Sequence, residues 1–272
     1  MIFVHDAGRL CNNILQYGHL YAWGREHGRP TMSMRFSYKY QYFRICHTRY
    51  HHFLCYVLAK YAARWGLITT VRFDRPDEDT GQQERTMLTR RLVMATGWDA
   101  RWDDLFLKYR QEIAGLFAFD EAIAESARRR MARRQEGTVR LGVHVRRGDY
   151  KTWHGGRYCY TDEQYAEMVR RFARLHADAR LDIYICGNDP GLDRDYFSQA
   201  LHPHAVHFPD GNPGEDLCLL SECDYLIGPP STFTLVASMY HDTPLYWMLS
   251  ADPEDMTADS FGRFDQLFRQ IL

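Results

Sequence analysis

The sequence predicts an α/β protein whose C-terminal half winds a parallel sheet with helices on both faces. Three observations carry that expectation. From Leu141 onward, short apolar runs alternate with segments of helical periodicity, the pattern of successive strand–helix–strand units. The hydrophobic fraction of 45% and the charged fraction of 25% are those of a globular chain, which excludes disorder and collagen-like order. The charge run Arg128–Arg134, followed by Gln135–Gly137, marks a change of style. A boundary there divides 272 residues into an N-terminal domain, 1–136, and a C-terminal domain, 137–272.

The elements follow in order. Ile2–His5 reads as a short strand, Asp6–Asn13 as a turn around Gly8, and Asn13–His27 as a helix stopped by Gly28. Residues 36–66, crowded with Tyr, Phe, His and Arg, read as helices with a mixed surface, and Asp74–Glu84 as an exposed polar loop. Helical spacing returns from Trp102 to Phe119, and Arg128–Arg134 reads as a solvated helix end. In the second half Leu141–Arg146 is a buried strand. Thr161 and Gln164 stand at capping-box spacing before the helical run Tyr165, Met168, Val169, Phe172, Leu175. Strands are expected at Leu181–Cys186, Ala205–Phe208, Tyr225–Ile227 and Leu245–Met248. Helices are expected after Pro190, over Glu215–Glu222 and over Ser231–Tyr240. In such sheets ligands bind beyond the carboxyl ends of the strands, so the loops after Arg146, Gly187 and Gly228 are the places to look.

Thirty-four Lys and Arg against 35 Asp and Glu give a net charge of −1, which argues against a broad nucleic-acid footprint. Seven cysteines with no C-x-x-C pair point to reduced thiols. With neither a signal-peptide pattern nor an apolar run long enough to span a bilayer, a cytoplasmic protein is expected, with peripheral membrane contact left open.

Three local patterns carry chemistry. In His144-Val145-Arg146-Arg147-Gly148-Asp149-Tyr150 a strand ends at two arginines. His144 and Arg146 share a face by the period of two, and an arginine there can fork onto a phosphate or simply pair with Asp149. In Gly228-Pro229-Pro230-Ser231-Thr232-Phe233-Thr234 a strand meets a helix start, where Ser231 can cap the helix and free N–H groups can hold an anion. Asp6-Ala7-Gly8-Arg9-Leu10-Cys11-Asn12-Asn13 is a strand-to-helix turn lacking both G-x-G-x-x-G and the P-loop pattern. Asp216, at a helix start, suits the positive end of the macrodipole. D-x-D patterns at Asp77–Asp79 and Asp193–Asp195 fit chance, and the histidines 202, 204 and 207 lack the cysteine pair of a zinc site. The aromatic, histidine-rich stretch Tyr38–Tyr56 reads as helix packing rather than as a stacking surface for nucleic-acid bases.

Taken in order, G-R-x-x-N-N at 8–13, H-V-R-R-G-D-Y at 144–150 and E-D-L-x-L-L-S-x-C-D-Y-L-I-G-x-x-S-T-F-T at 215–234 resemble the fucosyltransferase superfamily. The resemblance is nearest to the bacterial α-1,2-fucosyltransferases (glycosyltransferase family 11), and weaker to α-1,6- and protein O-fucosyltransferases. It implies a GT-B-like architecture of two Rossmann-type halves, a GDP-fucose donor, a glycan or polysaccharide-precursor acceptor, and no metal. It further implies that Arg146 holds the β-phosphate, His144 lies along the nucleotide and Asp216 reads the guanine edge. Ser231, Thr232 and Phe233 would cradle the diphosphate, while Gly8, Arg9 and Asn12 close the site from the first domain. Cys11, Asn13, Leu235 and Val236 depart from the family pattern beside these positions. Asp149, His154 and Asp6 are candidate general bases for the acceptor hydroxyl. Competing expectations are a catalytically silent GDP-sugar or glycan-binding module and a transferase using another GDP-sugar.

Overall fold

Each half of the chain builds its own parallel sheet. The computed structural model describes residues 1–36, 39–48, 51–76, 78–187, 189–251 and 256–271. Asp77 of the first D-x-D pattern and Tyr38, Arg49 and Tyr50 of the aromatic stretch lie outside the described residues. The chain divides into two units, Met1–Asp120 and Glu121–Leu272.

The first unit runs β1 (Ile2–His5), α1 (Leu10–Glu26), β2 (Thr31–Ser33), α2 (Phe53–Arg64), β3 (Thr69–Arg72), α3 (Gly81–Thr89), β4 (Val93–Thr96), α4 (Asp103–Lys108) and α5 (Arg110–Leu116). Its strands are parallel in the order β2-β1-β4-β3. The helix α1 starts three residues before the expected Asn13 and is buried almost all round, with Ile14, Leu15, Ala22 and Trp23 inaccessible. The expected polar loop Asp74–Glu84 turns helical at Gly81, because the Glu84 carboxylate accepts the indole N–H groups of Trp23 (3.0 Å) and Trp102 (3.3 Å). Paired that way, a polar side chain anchors α3 instead of staying in solvent.

The second unit runs α6 (Glu121–Arg130), β5 (Thr138–Val145), α7 (Asp162–Leu175), β6 (Arg180–Gly187), α8 (Arg194–Ala200), β7 (Ala205–His207), α9 (Pro213–Ser221), β8 (Tyr225–Gly228), α10 (Thr232–His241), β9 (Leu245–Trp247) and α11 (Phe264–Phe268). All pairs are parallel and the order is β7-β6-β5-β8-β9. Chain direction across the sheet therefore reverses between β5 and β8, the switch point of a doubly wound sheet. The Thr161 capping box forms in both directions, with Gln164 N–H on Thr161 Oγ1 and Thr161 N–H on Gln164 Oε1 (2.9 Å). A cap of this kind contributes about 1 kcal/mol. Behind it Tyr165, Met168, Val169 and Phe172 are buried against Leu141, Val143 and Val145, each stabilising by roughly 2 kcal/mol.

The unit boundary falls at Asp120/Glu121 rather than at 136/137. The charge run explains the difference. Arg130 donates to the Pro209 carbonyl and pairs with Glu215 (3.4 Å), and Arg134 forks onto Asp224 at 2.9 Å to each oxygen. The arginines of the run are exposed, as expected of a solvated helix end, and two of them, Arg130 at the end of α6 and Arg134 just beyond it, also tie this segment to the second unit.

Candidate active site

Strand alternation sets the first part of the site. Val143 and Val145 point into the α7 core, so Gly142 and His144 face α9 and α10. The His144 imidazole stacks on the Phe233 ring, with centroids 4.8 Å apart and planes at 23°. Burial, helped by nearby Arg146, lowers its pKa to about 3, so the ring is neutral. Its buried Nδ1 has no hydrogen-bond partner among the described residues. A buried polar atom left open in this way is a position for a ligand group or a water.

The two arginines that follow have opposite surroundings. Arg147 donates from Nε to the Tyr160 carbonyl (2.9 Å) and pairs with Asp162 and Asp189 (3.1 Å). Its side chain is 10% exposed and those two carboxylates 13% and 17%. Burial opposes its charge, but the Asp162 and Asp189 contacts outweigh it and raise the pKa. This guanidinium is a structural clamp. Arg146 instead pairs with Asp149 (2.8 Å), which is 47% exposed, and its guanidinium carbon lies 5.5 Å from the Tyr150 ring centroid. An exposed carboxylate gives a weak pair, so Arg146 remains able to take an anion. Asp149 serves as its orienting partner.

Tyr150 connects this cation to the α10 start, because its hydroxyl donates to the Pro230 carbonyl (2.5 Å). There Ser231 is the N-cap, and its Oγ accepts the Phe233 N–H (3.1 Å). That bond uses the Phe233 amide, so the contribution of Phe233 to the site is its ring against His144. Thr232 is half-buried at the helix tip. The residues expected from both motifs, His144, Arg146, Ser231, Thr232 and Phe233, therefore gather at the β5/β8 switch point.

Beside them a cleft opens beyond β6, lined by Cys186, Gly187, Asp189, Phe208, Asp210 and Asp216. Gly187 is required there, since a Cβ would lie 2.6 Å from the Val145 carbonyl oxygen. Asp189 lines the cleft and also holds Arg147. Asp216 sits in the first turn of α9, whose N-cap Asn212 forms a capping box with Glu215. Burial raises its pKa to about 7 against the Gly211 N–H bond, which lowers it. From α10 to this cleft is two strand spacings, about 10 Å, the reach of a nucleoside diphosphate.

The other expected residues sit on other elements. His154 is exposed on the turn Trp153–Gly156 with φ 47°, its ring edge-on to Trp153 at 4.4 Å. In the first unit Gly8 has φ +90°, which glycine adopts freely, and precedes Arg9 at the α1 N-cap. Gln16, which belongs to none of the three motifs, pins this turn by accepting the Ala7 N–H (3.1 Å) and donating to the Ala7 carbonyl (2.7 Å). Asn12 supplies a further carbonyl to Gln16 Nε2 at 3.3 Å. Asp6 is buried, with Ser33 Oγ donating to its Oδ2 (3.2 Å). Asp193, of the second D-x-D pattern, is the N-cap of α8 and accepts the Tyr196 N–H (2.9 Å).

A switch-point site in one parallel-sheet unit, on a chain whose other unit is also a parallel sheet, is the architecture of an α/β protein with a GT-B-like fold. No family model matches the chain. Galactoside α-(1,2)-fucosyltransferase 2 of Gorilla gorilla gorilla is 26% identical over 250 residues, spanning 86% of this chain and 67% of the relative. The protein of the same name from Hylobates lar is 25% identical over 251 residues, with the same coverage. Among solved structures, a mutant of Arabidopsis thaliana FUT1 in complex with GDP superposes with a TM-score of 0.65 at 12% identity, covering 96% of this chain and 72% of that one. Fucosyltransferase NodZ from Bradyrhizobium gives 0.54 at 15% identity, covering 91% and 95%. POFUT1 in complex with GDP-fucose gives 0.53 at 11%, covering 90% and 96%. The structural likenesses give the fold, and with the sequence matches they support placing this chain in the fucosyltransferase superfamily.

Proposed function

We propose that the protein is an inverting, metal-independent fucosyltransferase that moves fucose from GDP-fucose to a sugar hydroxyl of a glycan acceptor, forming an α-1,2 linkage. The observation that carries the reading is the meeting of Arg146 with the α10 start at the switch point, joined through Tyr150 and Pro230. The diphosphate would lie there, with guanine in the cleft at Asp216. GDP-fucose and GDP complexes among the proteins of this fold, and relatives named for α-1,2 transfer, support the same donor and linkage.

In the reaction the acceptor oxygen bonds to the fucose anomeric carbon on the face opposite the diphosphate. The bond from that carbon to the β-phosphate oxygen breaks, and its electron pair stays on GDP. Charge grows on the β-phosphate, where a fixed guanidinium and the positive end of α10 would stabilise it more in the transition state than in the ground state. The acceptor hydroxyl must also lose a proton. Asp149 is engaged with Arg146 and Asp6 is buried, so we assign the proton to His154, which is exposed. The reducing, cytoplasmic setting belongs to the same proposal. Its support is seven cysteines that are all free, with burial pushing the Cys218 thiol up to about 12.

The test is calorimetric titration with GDP, followed by GDP release from GDP-fucose, GDP-mannose and a UDP-sugar, with and without a galactoside acceptor. Acceptor-stimulated release from GDP-fucose alone is expected. Tight GDP binding with no release from any donor would make the chain a binding module, and preference for GDP-mannose would change the donor.

A further inference from the structure

The outer face of α2 is apolar and uncovered. Its inner face, Cys55 and Ala59 with Ala62 and Ala63, packs on Met32, Met34, Ile68 and Met94. On the opposite side Leu54, Leu58, Tyr61 and Trp65 recur at i, i+4, i+7 and i+11, one stripe of a helix surface. Leu58 and Trp65 are each 70% exposed, and Leu67, just past the helix, is 72% exposed. A helix that is apolar on both faces is normally covered on both, and one face here meets solvent.

Charge indicates what covers it. Between Glu26 and Asp74 the sequence has no acidic residue and eight lysines and arginines. Two of them, Lys60 and Arg64, are exposed along one flank of the stripe and have no ion-pair partner among the described residues. Lys60 lies beside the Tyr56 ring, 5.7 Å from its centroid. Long basic side chains flanking a stripe of Leu, Tyr and Trp suit the boundary between acyl chains and anionic headgroups, where stems bury and charges reach outward. A second copy of this chain suits the face less well, since an isologous contact through α2 would set the same cations against one another with no acid in the segment to answer them. At twelve residues α2 is too short to cross a bilayer.

We propose that α2 docks the protein on an anionic lipid surface, lying in the interface with Leu54, Leu58, Tyr61 and Trp65 inserted and Lys60 and Arg64 against phosphate headgroups. The inference is independent of the donor assignment.

Co-sedimentation of the full chain with vesicles tests it. Vesicles of equimolar phosphatidylcholine and phosphatidylglycerol should carry the protein down, and vesicles of phosphatidylcholine alone should carry far less. Leu58→Glu with Trp65→Glu should abolish binding. Lys60→Glu with Arg64→Glu, both at the surface, should weaken partition at least about fivefold for each basic side chain lost. Circular dichroism melts of both variants should match the parent, so that loss of binding is not loss of fold. Parent protein left in the supernatant with anionic vesicles overturns the proposal. So does equal partition of the parent and both variants. A parent dimer that Leu58→Glu with Trp65→Glu splits in analytical ultracentrifugation, without vesicle binding, would assign the face to a second copy instead.

Discussion

The Tyr150 hydroxyl donates to the Pro230 carbonyl at 2.5 Å across 80 residues of chain, and this one bond ties the loop after β5 to the turn that launches α10. The Tyr150 ring also carries the Arg146 guanidinium, so removing the hydroxyl should loosen both halves of the proposed diphosphate site. Tyr150→Phe keeps the ring and leaves a buried carbonyl without its donor, a cost of about 1–3 kcal/mol. A lower melting temperature is expected together with a GDP affinity weakened by about tenfold. Unchanged GDP affinity in calorimetry would show that the bond is structural only.

Arg146 and Arg147 should fail in different ways. Arg146→Ala removes a cation opposite an exposed acid, so the fold should persist while turnover falls by about a hundred- to a thousandfold, the usual cost of one oxyanion-directed donor. Arg147→Ala strands Asp162 and Asp189, both mostly buried. Breaking such a pair from one side costs about 3 kcal/mol or more. Thermal melts and single-turnover assays on both variants check this. A stable Arg147→Ala protein with the larger loss of turnover would reverse the two roles.

The second half was legible because its signals are local. Thr161 with Gln164 forms the capping box that the spacing predicts, and the strand–helix alternation yields the parallel sheet. His144 and the Ser231 turn were recognisable for the same reason: each sits at a strand end or helix start written in consecutive residues. The first half hides its signals. β3 buries only Val71, and α3 only Met87, so neither shows an apolar face, and β2 is three residues long. What holds α3 in place is Glu84 beneath two tryptophans, one of them 61 residues away. The Arg147 clamp is equally non-local, because Asp162 and Asp189 meet it only after α7 and β6 have folded. No spacing rule reports such a contact.

GDP binding should depend on pH through Asp216. Burial holds its pKa at about 7, and a guanine edge that donates two N–H groups needs the carboxylate form. Below that value the site is protonated and loses an acceptor; above it the carboxylate is complete. Affinity should therefore rise by about tenfold between roughly pH 6 and pH 8. His144 should not contribute over that range, since its pKa is held near 3. Titration of the phosphate itself cancels in comparison with Asp216→Asn, which should bind weakly at every pH and with a flat difference profile. An Asp216→Asn protein that keeps the parent's pH slope would place the titrating group elsewhere.

Asp6 supplies a stability prediction in the other unit. Burial raises its pKa from 3.8 to about 8, against weaker lowering by local hydrogen bonds that include Ser33, and its Oδ1 has no partner among the described residues. The Arg35 side chain binds the Asp6 backbone carbonyl (3.0 Å) rather than the carboxyl. The folded state thus keeps a proton that the unfolded chain releases above its ordinary carboxylate range. Linkage then makes this group's contribution greatest below that range, declining as pH rises and exhausted once the folded pKa is passed. Asp6→Asn has no proton to lose. Its melting temperature relative to the parent should climb steadily from about pH 5 to about pH 8 and level off beyond. Paired calorimetric melts across that range measure the difference directly, and a difference that stays flat from about pH 5 to about pH 8 would mean that Asp6 is already ionised in the fold.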